Sequence, residues 1–492
     1  MIFAASPVIV LGMTMLISDV ADALASGQLS ARDHLEQCLA AIDSEDGRRA
    51  FVTVNAEEAR RNADHTDMLH KAGATLPAFA GVTLSVKDLF DIAGEVTRAG
   101  SRVLDDAAPA SVDATVVARL KAAGFNIIGR TNMTEFAYSG LGMNPHYGNP
   151  RSPYGRDIDD GFVAGGSSSG SAVSIADGMA AATIGTDTGG ATRAPAVFCG
   201  ITGLKPTTTR MPGDGVFPLS TSFDAAGPMG HSVDCCAILD SLMAGGSGTT
   251  EAAFPAPGLR LAVPRGYLFE DLDDQVSQDF ETALSRLSAV GVTISDVRLD
   301  ILEELRPANL PKSIVSAEAY EIHRELLASG RDLYDPYIAT RLAAGADIAA
   351  ADYIAMHRDR AAVCAEVAGL TRPFDALILP TTPTLPPALA GLQGTDMLMK
   401  TSARVLRNTA LSNYLDRPTI TIPGHASAYS ISTTDPSETS TIFGLVLAAL
   451  FDSLRGQRAL IRHELARSRA RAALVASAAA PSPPCARAHF DA

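Results

Sequence analysis

Gly185-Thr186-Asp187-Thr188-Gly189-Gly190-Ala191-Thr192-Arg193 follows the run Gly165-Gly166-Ser167-Ser168-Ser169-Gly170-Ser171, with 24 positions from Ser167 to Ala191 (191 − 167 = 24). Between the two loops, Ala172, Val173, Ile175, Ala176 and Met179 recur at helical spacing, which predicts a helix from Ser169 to Met179. Ala181 to Thr186 then reads as a short apolar strand leading into the Gly189-Gly190 turn. Upstream, Gly81-Val82-Thr83-Leu84-Ser85-Val86 is rich in β-branched residues and reads as a buried strand that ends at Lys87-Asp88. Ala114 to Ala123 is a predicted helix closed by Gly124, and Phe125-Asn126-Ile127-Ile128-Gly129 is the next strand. This strand–helix–strand rhythm predicts an α/β fold.

Farther out, helical patterning dominates from Ser18 to about Ala63 and again through most of 275–370. Leu259 to Val263 and Leu377 to Pro380 read as strands, and Gly140 to Gly166 as a loop punctuated by Pro145, Pro150 and Pro153. Beyond about Gly424 the character changes. Residues 426–441 are rich in Ser and Thr, Arg455 to Arg471 is rich in arginine, and 476–492 is low in complexity. The expected organisation is an extension at 1–12, one large domain at 13–425, and a divergent segment at 426–492 whose end, 476–492, is disordered. A shifted reading frame or true divergence would both produce such a tail.

Composition narrows the function classes. The chain has 492 residues, 47% of them hydrophobic, and a formal net charge of −15. That balance disfavours nucleic acid and anionic membranes as partners. Cys38, Cys199, Cys235, Cys236, Cys364 and Cys485 show no C-x-x-C or Cys/His ligand spacing, so no metal and no cofactor are expected. Dispersed cysteines of this kind fit reduced thiols in a cytoplasm. Met1 to Ile17 is apolar but lacks a basic leading region and carries Pro7 and Gly12, against a secretory signal.

Several further motifs stand in a fixed order around the two loops: Val86-Lys87-Asp88, the stretch from Gly129 to Ala137, Ala194 to Gly200, and Gly203-Leu204-Lys205-Pro206. Together with the loops they resemble the amidase signature family over roughly residues 16 to 423, most strongly from Lys87 to Pro206. The resemblance implies a mixed central β-sheet sandwiched between layers of α-helices. It also implies hydrolysis of a small carboxylic amide through an acyl-enzyme intermediate. Lys87 would be the general base, Ser167 a proton relay entered by a cis peptide bond, and position 191 the nucleophile. That position carries alanine where the family has serine, so the chain as written is expected to be inactive. The backbone amides of Thr188, Gly189, Gly190 and Ala191 would serve as an oxyanion hole, and Phe136, Ala137, Tyr138 and Ser139 would line the pocket.

Each role has a physical requirement and a rival. A lysine base must be neutral, which burial at a strand end can supply; the rival is a lysine paired with Asp88. Ser168 and Ser169 are expected to cap the following helix. Asp187 and Arg193 are expected to hold their loop by charge-assisted hydrogen bonds. Gly166-Ser167-Ser168-Ser169-Gly170 also fits a G-x-S-x-G nucleophile elbow, with His231, His323 or His357 as base. Cys199 reads as a packed small hydrophobe, and Cys235-Cys236 as helical packing rather than a disulfide. Alternatives to an amidase are a non-catalytic amide-binding pseudoenzyme and an amidotransferase subunit. Many tRNA-dependent amidotransferase subunits carry a glutamine after the arginine that Arg193 matches, and its absence here favours a stand-alone amidase with a small-molecule amide as substrate; a homodimer is a separate expectation. Residues 476–492 offer no periodic apolar face, so deleting them is expected to leave the thermal midpoint nearly unchanged. A large drop in Tm after that deletion would make the segment an integral element.

Overall fold

The computed structural model describes residues 15–249, 256–306, 312–424 and 428–433. The expected extension at 1–12, the low-complexity end at 476–492 and Cys485 lie outside the described residues. The strands are Phe51–Val54 (β1), Thr83–Lys87 (β2), Asn126–Thr131 (β3), Ala182–Asp187 (β4), Thr202–Lys205 (β5), Ala225–Gly230 (β6), Arg260–Arg265 (β7), Thr293–Arg298 (β8), Ala376–Pro380 (β9), Thr419–Pro423 (β10) and Ala428–Thr433 (β11). They form one 11-stranded sheet in the order β1-β3-β2-β4-β6-β5-β10-β11-β9-β7-β8. β2 runs parallel to both β3 and β4, and β7 parallel to both β8 and β9. The remaining neighbours are antiparallel, so the sheet is mixed.

The inner strands β2, β3, β4 and β6 are buried at every residue, which requires cover on both faces. Helices supply it, as the α/β reading anticipated. Among them, Ser169–Ala176 packs on β4 and β2, Val233–Met243 on β6, and Asp274–Ala289 on β9 and β11. The edges differ: β1 and β8 alternate towards solvent, as outermost strands do. Among the described residues no helix is long and apolar enough to cross a membrane.

Three local expectations change. The helical stretch read from Ser18 to Ala63 is broken by β1, where Phe51-Val52-Thr53-Val54 gives β-branched alternation over too few residues to register in a helical window. The same holds for β8 inside 275–370, and the helix expected to reach Met179 stops at Ala176. The third change is larger. β11 lies beyond residue 425, in the Ser/Thr-rich stretch, and sits between β10 and β9. Its serines are buried: the Ser430 hydroxyl is 2.9 Å from both Thr381 Oγ1 and Thr421 Oγ1, while Ser432 Oγ has no partner among the described residues. Tyr429 and Ile431 fill the opposite face. A strand whose polar residues bond across the sheet looks like a loop by composition.

Cys38, Cys199, Cys235, Cys236 and Cys364 are free thiols, and the adjacent pair lies within the helix Val233–Met243. Because β11 is an inner strand, a chain ending at residue 424 would leave β9 and β10 with open edges. That truncation is expected to abolish cooperative thermal unfolding or solubility; a normal melting curve would show that β11 is dispensable.

Candidate active site

β2 and β4 lie side by side, and their carboxyl ends deliver Lys87 and the segment Thr186-Asp187 to the same region. Lys87 is buried, and its Nζ donates to Ser167 Oγ at 2.7 Å and to Thr186 Oγ1 at 2.9 Å. Burial disfavours the charged ammonium and pulls the lysine down to about 7, opposed by the carboxylates of Asp224 and Asp187. The rival pairing with Asp88 is not seen. Asp88 instead accepts from Gly100 N at 3.0 Å and lies 3.5 Å from Arg130 Nη1. Successive strand residues point to opposite faces, so Lys87 and Asp88 diverge.

The peptide bond between Gly166 and Ser167 is cis. Gly166 packs against backbone: a side chain there would meet Gly142 N at 2.4 Å. Its N–H donates to Gly140 O at 2.8 Å, and Ser167 O accepts from Thr134 N at 3.1 Å, so residues 134–140 run alongside the serine loop. Ser168 and Ser169 do not cap the helix they begin. Ser168 Oγ donates to Thr186 O at 3.3 Å, and Ser169 Oγ has no partner among the described residues. The helix end is satisfied by the backbone instead, Gly170 N donating to Asn132 O at 2.9 Å.

Asp187 organises the second loop. Both carboxylate oxygens are buried and accept from Gly190 N (2.8 Å), Thr192 N (3.1 Å), Thr192 Oγ1 (2.9 Å) and Arg193 Nε and Nη2 (both 3.0 Å). Asn413 Nδ2 adds a further donor at 2.8 Å. Arg193 holds the acid well below the usual carboxylate range, against the opposing effect of burial. Gly190 sits at φ +133°, where a side chain would meet Thr409 Oγ1 at 2.1 Å, so only glycine fits. Ser168 N donates to Ala191 O at 3.2 Å, which joins position 191 to the serine loop. Among the described residues, the N–H groups of Thr188, Gly189 and Ala191 have no protein acceptor. Gly189 is the half-buried member of this stretch.

The expected pocket residues are brought to the same neighbourhood but serve different purposes. Phe136 is buried among Phe217, His323 and Tyr334, with ring centroids 5.1, 4.2 and 5.3 Å away. Ala137 is buried beside it. Ser139 Oγ bonds to Ser402 Oγ at 3.3 Å and to the Tyr337 hydroxyl at 3.4 Å. Among the described residues no histidine is hydrogen-bonded to Ser168, whose hydroxyl is taken by Thr186 O. His323 Nδ1 is 3.1 Å from the Tyr334 hydroxyl and His357 lies near Glu318, so neither serves the elbow reading as base. Cys199 is packed and burial pushes its thiol up. Among the described residues no cluster of His, Cys, Asp or Glu could hold a metal.

Sequence reasoning missed Asp224, Thr409 and Asn413. Asp224 accepts from Thr188 Oγ1 at 2.5 Å, and Thr409 Oγ1 donates to Gly189 O at 2.7 Å. All three belong to remote segments without a motif. Thr186 was within the quoted loop, and its position beside Asp187 was the available signal.

Residues 33–433 match the protein family described as Amidase. The 1-carboxybiuret hydrolase subunit AtzE of Pseudomonas sp. (strain ADP) is 35% identical over 386 residues, covering 75% of this chain and 82% of that protein. The 2-amino-5-chloromuconic acid deaminase of Comamonas testosteroni is 32% identical over 385 residues, covering 76% and 81%. A crystal structure of an amidase superposes with a TM-score of 0.78 at 29% identity, covering 88% of this chain and 98% of that one.

The lowered Lys87 value has a consequence for stability. Between about pH 7 and the usual lysine value of 10.5, the unfolded chain binds a proton here that the folded chain does not. Folding therefore gains from this residue as pH rises through that window, by up to about 1.4 kcal/mol per pH unit. Lys87→Met is expected to remove that gain, read as a flatter dependence of unfolding free energy on pH. An unchanged slope would mean that Lys87 titrates normally.

Proposed function

The chain belongs to the amidase family, and we propose that its site is built to hydrolyse a small carboxylic amide, with position 191 as the nucleophile's place. The observation that carries this reading is the buried Lys87–Ser167 hydrogen bond of 2.7 Å, in a loop bonded to Ala191. A serine at 191 would pass its proton to Ser167, and Ser167 would pass its own to a neutral Lys87 amine. The serine oxygen would then attack the amide carbon. The carbonyl oxygen would gain its negative charge opposite the N–H groups of Gly189 and Ala191, already positioned and without other acceptors. Collapse would expel the amine, protonated by the same relay in reverse, and water would release the acid from the acyl-enzyme.

Alanine lacks the hydroxyl, so the chain as written forms no acyl-enzyme. It keeps the backbone N–H, and this supports a second reading: an amide-binding protein that does not turn over. In a serine protease, loss of the nucleophile alone costs about 2 × 10⁶ in kcat. A loss of similar order is expected here, because Lys87 and Ser167 act only through residue 191.

Ala191→Ser is expected to restore turnover on a panel of simple aryl and alkyl amides, and adding Lys87→Ala to abolish it. The amine must be neutral to accept a proton, so activity of Ala191→Ser should fall as pH drops through about 7. Hydrolysis by the unmodified chain at the rate of Ala191→Ser would overturn the nucleophile assignment. Tight amide binding by a variant that hydrolyses nothing would decide for the second reading.

A further inference from the structure

Arg360 spreads its donors over main-chain carbonyls of two segments remote in sequence. Nε donates to Tyr414 O at 2.8 Å and Nη2 to Asn413 O at 3.1 Å, both at the carboxyl end of the helix Thr409–Tyr414. Nη1 donates to Ser222 O at 3.2 Å, and the guanidinium stacks on Phe223, 4.0 Å from the ring centroid. Ser222 and Phe223 belong to a tight turn closed by Phe223 N donating to Ser220 O at 3.0 Å. A planar fork holds its acceptors at fixed angles, so this one side chain fixes the turn against the helix end.

Both segments hold the loop from Thr188 to Thr192. Asp224, directly after Phe223, accepts from Thr188 Oγ1 at 2.5 Å and from Leu219 N and Ser220 N at 2.9 and 3.0 Å. From the other segment, Thr409 Oγ1 donates to Gly189 O at 2.7 Å and Asn413 Nδ2 to Asp187 Oδ1 at 2.8 Å. Glu318, on the helix Ile314–Gly330, braces the same turn. Its buried carboxylate accepts from Ser220 Oγ at 2.5 Å, Ser222 N at 3.1 Å, Ser222 Oγ, and the Tyr353 hydroxyl at 2.7 Å. Tyr353 and Arg360 lie seven positions apart on the helix Ala350–Thr371 and so share one face of it. Among the described residues, neither Arg360 nor Glu318 hydrogen-bonds to the loop itself. Each acts on it through the turn, and Arg360 through the helix end as well.

We propose that Arg360 and Glu318 are positioning residues of the amide site: by locking the Ser220–Phe223 turn against the end of the helix Thr409–Tyr414, they hold the N–H groups of Gly189 and Ala191 where a substrate carbonyl meets them. This rests on the amide-hydrolysis reading given above.

Backbone hydrogen exchange reads the loop without any need for turnover. Gly190 N and Thr192 N are bonded to Asp187, and Arg193 N to Gly190 O, so their exchange reports the loop's hold. In the otherwise unmodified chain, Arg360→Met is expected to speed exchange in the peptide 186–194 about tenfold or more, while the peptide 83–87 stays within about threefold. Glu318→Gln should do the same to a smaller degree, and Arg360→Lys should keep part of the protection. Arg358→Met, an exposed change on the same helix, should alter neither peptide. Equal acceleration in both peptides would make the pair general props of the fold and overturns the proposal, as does unchanged exchange at 186–194. Should Arg360→Met not fold, Glu318→Gln and Arg360→Lys decide. In the Ala191→Ser background, Arg360→Met and Glu318→Gln are each expected to lower kcat by about 10- to 100-fold with KM within about threefold. Displaced N–H groups forfeit stabilisation of charge that develops only in the transition state. A higher KM at unchanged kcat, or unchanged kinetics, overturns the positioning role alone. An Ala191→Ser protein that hydrolyses nothing sinks the hydrolase reading, and the exchange contrast then still decides whether Arg360 and Glu318 hold the loop.

Discussion

The pairing of Asp187 with Arg193, both wholly buried, is the constraint on which the loop from Thr188 to Thr192 depends. A buried charge is tolerated only when paired and hydrogen-bonded, and breaking such a pair typically costs about 3–5 kcal/mol. Here the carboxylate takes donors from its own loop, and the guanidinium reaches out to Thr409 O at 2.9 Å and Asn413 Oδ1 at 2.6 Å. The ion pair thus fastens the end of β4 to the helix Thr409–Tyr414. Gly190 N is satisfied internally, while among the described residues Gly189 N and Ala191 N have no protein acceptor.

A second constraint acts on Lys87. Its burial makes the ammonium costly, and its hydrogen-bond partners among the described residues are hydroxyls rather than carboxylates. Asp224 and Asp187 act on it at longer range and oppose the loss of charge. Asp224 is itself pushed up to about 6 by burial, so its negative charge is least secure where the lysine's charge is also in the balance. The strand's alternation keeps Asp88 out of this set, directed to Arg130 on the other face. Proton affinity in the site is therefore set by β2, β4, the serine loop and Asp224 together.

Much of this was legible in the residues themselves. The strand-to-loop sequence ending at Lys87, the 24-residue spacing between the loops, and the acid and base bracketing Gly189-Gly190 all follow from local patterning and order. The loop's glycines report backbone crowding directly, since at Gly190 no side chain could pass Thr409. What misled was composition. β1 and β8 are short edge strands inside helical stretches, and β11 reads as a polar loop because Ser430 and Ser432 look solvent-facing until their neighbours are known. Ser168 and Ser169 looked like caps because serine favours helix starts, yet Asn132 O already satisfied the helix end.

The amino-acid order alone determined the identity and spacing of the residues in the candidate site, including the alanine at 191, because identity and spacing along one chain are local properties. Tertiary structure alone decided what surrounds them. Asp224, Thr409 and Asn413 enter from segments with no motif, brought in by strand order and helix packing. Whether an arginine finds a carboxylate, and whether a serine is solvated or bonded across a sheet, depends on neighbours supplied by other segments of the packed chain. Burial and hydrogen-bond satisfaction are properties of the packed chain, and no window of sequence contains them.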